Sequence, residues 1–176
     1  MDTTQAFGIS AASGKSNVLS GSAQFIQNVE TTTSVSDGNY VIFEINGGGI
    51  PNTGLTGIDW RNASTAGYIQ NAQKIKDMIL FASTNAATTK NYELYMLTCS
   101  DSTYLGATTI DYTASVTIDT ITVGSNGSFS LNKISLPGGF VQASKGDLVN
   151  FALKNVSGGT VGGMFAQLIV NFENTL

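Results

Sequence analysis

The sequence predicts an all-β protein, an antiparallel β-sandwich with the jelly-roll arrangement of about eight strands. Apolar and polar residues alternate along most of the chain, as they do in strands that bury one face. Clusters of Gly, Asn, Asp and Ser separate these runs, and no run shows the period of an amphipathic helix. With 176 residues, of which 41% are hydrophobic, the chain is long enough to bury one core.

The predicted strands follow one another in chain order, each ending at a cluster of turn-forming residues. In the run 74–82, the residues Ile75, Ile79 and Phe81 are predicted to share a face. The run at 91–100 is apolar on both sides, which indicates a central strand or one partly at an interface. The predicted strands lie at about 23–29, 39–46, 74–82, 91–100, 111–119 with a continuation to 123 in the changed phase, in the segment that follows a turn at 124–127, and at 147–156 and 162–173.

The last two strands have the clearest faces. In 147–156, Val149, Phe151 and Leu153 are predicted to point inward, and Asn150 and Lys154 outward. In the last strand the predicted inward residues are Met164, Ala166, Leu168, Val170 and Phe172. Its predicted outward residues are Phe165, Gln167, Ile169 and Asn171.

Two changes of phase predict irregular strand pairing. After Asp119 the apolar positions move by one residue, so a bulge is expected near Asp119-Thr120. A second slip is expected between Leu131 and Ile134.

Two segments lie outside this pattern. Residues 1–22, rich in Ser, Ala and Gly, are predicted to form an extended N-terminal arm, and 23–176 the jelly-roll domain. Residues 46–72 form a loop far longer than usual, and loops of that length tend to carry function or contacts. Trp60, Arg61 and Tyr68 in it are candidate ligand or partner residues. The alternative is that Trp60 anchors the loop in its own core or in a neighbour.

Motifs that suggest chemistry have simpler structural explanations. Lys145-Gly146-Asp147 is predicted to be the turn that leads into a strand, because Gly146 permits a positive φ. The glycine-rich stretch 47–54 lacks the Lys-Ser/Thr of a phosphate-binding loop. Ser130-x-x-Lys133 lies on a predicted strand, without the partner motifs of acyl enzymes.

Composition excludes several classes of site. The chain has no histidine and one cysteine, Cys99, which is predicted to be a buried apolar side chain. We therefore expect no zinc site, no cofactor and no enzymatic activity, although a carboxylate pair that includes Asp59 stays open.

The charge pattern bears on partners and location. The net charge is −4 and the eight basic residues are scattered, so neither a nucleic-acid stripe nor a polybasic membrane contact is expected. No apolar stretch is long enough to span a membrane. The first residues lack the features of a secretion signal, so synthesis in a cytoplasm is expected.

From Lys74 to Leu176 the chain resembles known jelly rolls. An apolar strand, Pro137-Gly138-Gly139, "VQASKGD", a strand, a Gly-rich turn and an apolar last strand are similar to the C-terminal half of tumour-necrosis-factor and complement-globular-head domains. The same pattern resembles jelly-roll domains of bacteriophage virion proteins: head decoration or cement proteins, head fibres and tail-fibre tips. The composition and the single cysteine favour the phage branch.

The resemblance implies homotrimers around a three-fold axis. Four apolar residues would then supply an interface patch: Tyr95, Leu97, Phe165 and Ile169. The alternative is that the arm or loop of the same subunit covers them.

The expected function is that of a structural virion protein. As a trimer it would decorate or cement a phage capsid, bound to the major capsid protein or another virion protein through its arm and apolar edges. The alternative is a receptor- or carbohydrate-binding tip domain of a phage fibre, which would contact host glycans through the 46–72 loop.

Overall fold

The computed structural model of the chain describes residues 17–19, 23–43, 51–59, 67–100 and 109–175. In these ranges the chain forms β-strands, turns and one short 3₁₀ turn at Pro137–Gly139. The strands form two sheets that pack against each other around a shared apolar core. The prediction of an all-β sandwich is confirmed.

The first of these sheets has five strands. Its order is β2-β14-β7, with β11 and β12 both pairing with the other edge of β7. All its pairs are antiparallel. The strands are β2 (Ala23–Thr31), β7 (Gln73–Thr84), β11 (Ser130–Lys133), β12 (Val141–Ala143) and β14 (Met164–Asn174).

The second sheet has seven strands, with β13 at its centre. One edge of β13 pairs with β8, which pairs in turn with β10. The other edge is shared between β6 and β3. The strands are β1 (Asn17–Leu19), β3 (Tyr40–Ile42), β4 (Pro51–Asn52), β6 (Gly67–Ile69), β8 (Lys90–Ser100), β10 (Thr113–Val123) and β13 (Asp147–Asn155).

The connections between the sheets define the topology. The orders β2-β14-β7-β11 and β3-β13-β8-β10 place most consecutive long strands in opposite sheets, which is the jelly-roll order. A separate pair, β5 (Ile58–Asp59) with β9 (Thr109–Ile110), lies outside both sheets. Within the predicted arm, β1 pairs parallel with β6, and within the 46–72 segment the chain forms β4, β5 and β6.

The core has the faces that the last two strands predicted. On β13, Val149, Phe151 and Leu153 are buried between the sheets. On β14 the inward residues are fully or nearly fully buried, and Phe165 and Ile169 lie on the opposite face. Asn150 is the exception. It is buried, and its Oδ1 accepts a hydrogen bond from Gln27 Nε2 of the opposite sheet at 2.7 Å.

One of the two predicted strand irregularities is confirmed. The β8–β10 register shifts between Thr117 and Asp119. There the Asp119 carboxylate accepts hydrogen bonds from the backbone N–H of Thr120 at 2.8 Å and of Ser135 at 2.9 Å. The predicted slip between Leu131 and Ile134 is wrong, because β11 pairs with β7 without a change of register. Leu131 points outward and Ile134 points inward, as regular alternation requires for residues three apart.

The predicted shared face of Ile75, Ile79 and Phe81 is also wrong. Ile75 is fully buried, whereas Ile79 is partly exposed and Phe81 is 42% exposed. The cause is a bulge: Asn171 pairs with Asp77 and Phe172 with Ile75, so Lys76 is the extra residue. Beyond it, the inward residues are Met78 and Leu80.

A second apolar cluster covers the outer surface of the seven-stranded sheet. It contains Cys99 and Leu97 of β8, and it is closed from outside by Ile58 of β5 and Ile110 of β9. Two hydrogen bonds hold this cover: Tyr112 N to Leu55 O at 2.8 Å and Gly57 N to Asp111 Oδ1 at 2.6 Å. The prediction of a buried Cys99 is confirmed, and the predicted turn at 145–147 is present, with Gly146 at φ 89°.

A side chain at position 124 is expected to destabilise the fold. A Cβ at this position would lie 1.9 Å from the backbone oxygen of Ser128, so the turn that leads into β11 would have to shift. We expect Gly124→Ala to lower the free energy of unfolding by about 1–3 kcal/mol in chemical denaturation. Gly159→Ala is the matched control, since nothing lies within 4 Å of its added Cβ. Equal stability of the two variants would contradict this prediction.

Alkaline pH should destabilise the fold through two buried tyrosines, Tyr92 of the core and Tyr112 of the second apolar cluster. Burial raises the pKa of the Tyr92 phenol, and burial also raises that of Tyr112, against a smaller opposing effect of Asn150. Above the ordinary pKa of 10.0 the unfolded chain loses these protons and the folded chain keeps them. Stability is therefore lost as pH rises above that value, by about 1.4 kcal/mol per pH unit for each tyrosine.

The measurement is the free energy of unfolding between neutral and strongly alkaline pH. The double variant Tyr92→Phe/Tyr112→Phe should show a shallower loss than the wild type. An equally steep loss in both proteins would assign the alkaline sensitivity to other groups.

Candidate interaction surface

The predicted loop residues are only partly described. Trp60 and Arg61 lie outside the described residues. Tyr68 lies on β6, is partly buried, and packs against the second apolar cluster. Its described contacts are therefore with the protein's own interior surface.

The four predicted interface residues do not form one patch. Tyr95 and Leu97 belong to β8 of the seven-stranded sheet, and Phe165 and Ile169 to β14 of the five-stranded sheet. Both pairs point away from the core, so they lie on opposite outer surfaces of the sandwich. Sequence reasoning combined them because it could not assign strands to sheets.

Leu97 is not available to a partner. It is fully buried, beneath the cover that β5 and β9 form. The alternative interpretation, cover by a segment of the same subunit, therefore holds for this residue. Tyr95 is partly buried; its ring packs edge-on against Tyr40 with centroids 5.8 Å apart, and its hydroxyl donates to Glu93. Burial and this Glu93 contact raise the pKa of Tyr95.

The outer surface of the five-stranded sheet carries a group of apolar side chains, which we call the apolar face. The group bends around a polar pair on the same surface, in which Gln167 Nε2 donates to Asn28 Oδ1 at 3.0 Å. Strand register places the apolar side chains side by side: Ile169 lies between Ile26 and Ile79, and Leu131 lies beside Phe81. The five most exposed members are Ile26 (44%), Phe81 (42%), Phe129 (52%), Leu131 (66%) and Phe165 (39%). Ile79 and Ile169 are partly exposed and complete it.

An aromatic group lies at one end of the apolar face. The Phe129 ring lies between two others: its centroid is 5.5 Å from that of Phe81, and 5.5 Å from that of Phe165 in an edge-to-face arrangement. Such pairs are stabilising, so the three rings are held in place while they remain exposed.

The other end of the same surface is polar. Asn171 lies next to Asp77 and Gln24 in the sheet and accepts a hydrogen bond from Gln24 at 3.1 Å. Beyond it, Lys76 and Glu173 form an exposed ion pair at 3.0 Å. The apolar face is thus bounded along the strand direction.

A groove opens beside the aromatic group, where β2 and β7 end and β14 begins. It encloses about 330 Å³. Its lining includes Phe129, Phe165, Glu30 and Asn85. Ser83, which pairs with Phe165 and shares its side of the sheet, also lines it, but the Ser83 hydroxyl oxygen is buried. Within the described part of the chain, no group of three or more metal-ligating side chains is present.

Sequence reasoning identified Phe165 and Ile169 but missed most of the apolar face. The available signal was that the run 74–82 carries large apolar residues in both phases, as the last strand does. The predicted slip after Leu131 obscured the outward direction of that residue, and no face is predicted for Phe129. Ile26 had no local signal that separated it from the core residues around it.

Comparison with known proteins adds no family. No family model, curated protein or solved structure matches the chain. Among the residues that the structure describes, none forms a helix of the length and hydropathy needed to cross a membrane.

Proposed function

We propose that this protein is a structural component of a bacteriophage particle, which forms homotrimers and decorates or cements the capsid. The observation that carries the proposal is the apolar face. Exposed apolar surfaces of this kind mark interaction sites, since leaving them in water is unfavourable by roughly 25 cal/mol for each Å². The low charge of the chain, 11%, suits a protein that stays within an assembly.

The partner at the apolar face is a second copy of the chain. The two edges of the five-stranded sheet carry opposite charges: Glu30 is exposed on β2 and Lys133 is exposed on β11. When copies surround an axis with their apolar faces inward, the β2 edge of one copy meets the β11 edge of the next. Such head-to-tail contacts close into a ring.

In this proposal the role is mechanical. The trimer binds the major capsid protein or another virion protein through the N-terminal segment 1–22, and surface buried across capsomer junctions raises the cost of particle rupture. The protein is made in the host cytoplasm and resides in the virion, with no catalytic step. The resemblance of 74–176 to phage virion jelly rolls and the jelly-roll strand order support this role.

The solution mass tests the assembly. Light scattering of the purified protein should give three times the 18.4 kDa of one chain. Ile169→Lys places a charge at the centre of the apolar face and should give monomers. Thr120→Lys, on an exposed position of β10 in the other sheet, is the matched control and should keep the wild-type mass. A wild-type monomer would refute the trimer.

The proposed location of the protein in the virus particle is tested separately from its oligomeric state. Antibody raised against the purified protein should label the surface of virus particles from the cells that produce it, as seen by immunogold electron microscopy. Label found only on protein free of particles would refute the virion role, whatever the oligomeric state.

A further inference from the structure

The cover over the second apolar cluster, residues 55–59 and 109–112, is held to the sandwich by side-chain packing. Its two strands, β5 and β9, pair with each other and with no other strand that the structure describes. Beneath them, Ile58 and Ile110 pack against apolar side chains of the seven-stranded sheet, among them Leu97. The cover therefore lacks the row of backbone hydrogen bonds that fixes a strand within a sheet.

The hydrogen bonds of the cover act within it. The backbone N–H of Tyr112 donates to Leu55 O at 2.8 Å, and that of Gly57 donates to Asp111 Oδ1 at 2.6 Å. Each bond joins one half of the cover to the other, and the second bond is exposed to water. These contacts make the cover one unit, and they do not fix it to the sheet below.

The second apolar cluster is separate from the core between the sheets. Leu97 and Cys99 lie on one surface of the seven-stranded sheet, and Leu94 and Phe151 lie on the other, within the core. Loss of the cover's contacts leaves the core packed, so it costs only part of the free energy of unfolding. Proteins open in this way, in local units whose free energies lie below that of global unfolding.

We propose that the cover opens as a unit while the sandwich stays folded, and that opening exposes the surface around Leu97 and Cys99. The inference does not depend on the virion role or on the trimer, because the apolar face lies on the opposite outer surface. Opening gives the molecule a second apolar surface that is present for part of the time only. Closure keeps that surface away from unproductive contacts.

Cys99 reports on the opening. It is the only cysteine of the chain, it is 4% exposed, and it belongs to the second apolar cluster. A thiol reagent reaches it when the cover opens or when the whole protein unfolds. The dependence of the labelling rate on urea separates these two routes, because it scales with the surface that each opening exposes.

The wild-type protein is labelled with N-ethylmaleimide at rising urea concentrations below the unfolding transition, and the labelled fraction is measured by mass spectrometry. We expect labelling far slower than that of a free thiol. The free energy of opening, obtained from the ratio of these rates, should fall with urea less than about half as steeply as the free energy of global unfolding. A slope equal to that of global unfolding, or labelling as fast as a free thiol, would overturn the proposal.

Two substitutions test whether the cover is the unit that opens. Asp111→Ala removes the acceptor of the Gly57 N–H and should speed labelling of Cys99 about five-fold. Asp37→Ala is the matched control, since Asp37 is also an exposed carboxylate and accepts a hydrogen bond from the Gly158 N–H at 2.9 Å, outside the second apolar cluster. It should lower global stability by a similar amount and leave the labelling rate unchanged. Equal acceleration in both variants, or none in Asp111→Ala, would contradict the opening of the cover as a separate unit.

Discussion

The register of β14 between β2 and β7 is the constraint on which the rest of the structure depends. This register aligns Leu168 with Leu80 on the inner surface and Ile169 with Ile79 on the outer surface. Because side chains alternate with a period of two, burial of the first row necessarily places the second row outside. The core and the apolar face are therefore consequences of one pairing, and neither can change without the other.

The two outer surfaces of the sandwich differ in how far the described chain segments cover their apolar side chains. On the seven-stranded sheet, β5 and β9 cover Leu97 and Cys99 and make a second small core. On the five-stranded sheet, the described residues leave Phe81, Phe129 and Leu131 exposed. Within the ranges that the structure describes, one apolar surface is covered by the chain's own segments and the other is open, and this asymmetry is the physical basis of the proposed trimer.

The groove lies where the apolar face meets the loop end of the sandwich. Its formation depends on four chain segments that converge there: the ends of β2 and β7, the start of β14, and the segment before β11 that contributes Gly127 and Phe129. The same convergence buries the Ser83 hydroxyl without a partner and requires glycine at position 163.

The sequence by itself determined the eight main strands of the two sheets, the inward residues of β13 and β14, the bulge near Asp119 and the turn at Gly146, because alternation and turn chemistry are local. The tertiary structure alone decided which strands share a sheet. It thereby separated Leu97 from Ile169, turned Phe81 outward after the bulge at Lys76, and buried Asn150 against Gln27. These outcomes depend on pairing between residues distant in sequence, and a local pattern contains no information on such pairs.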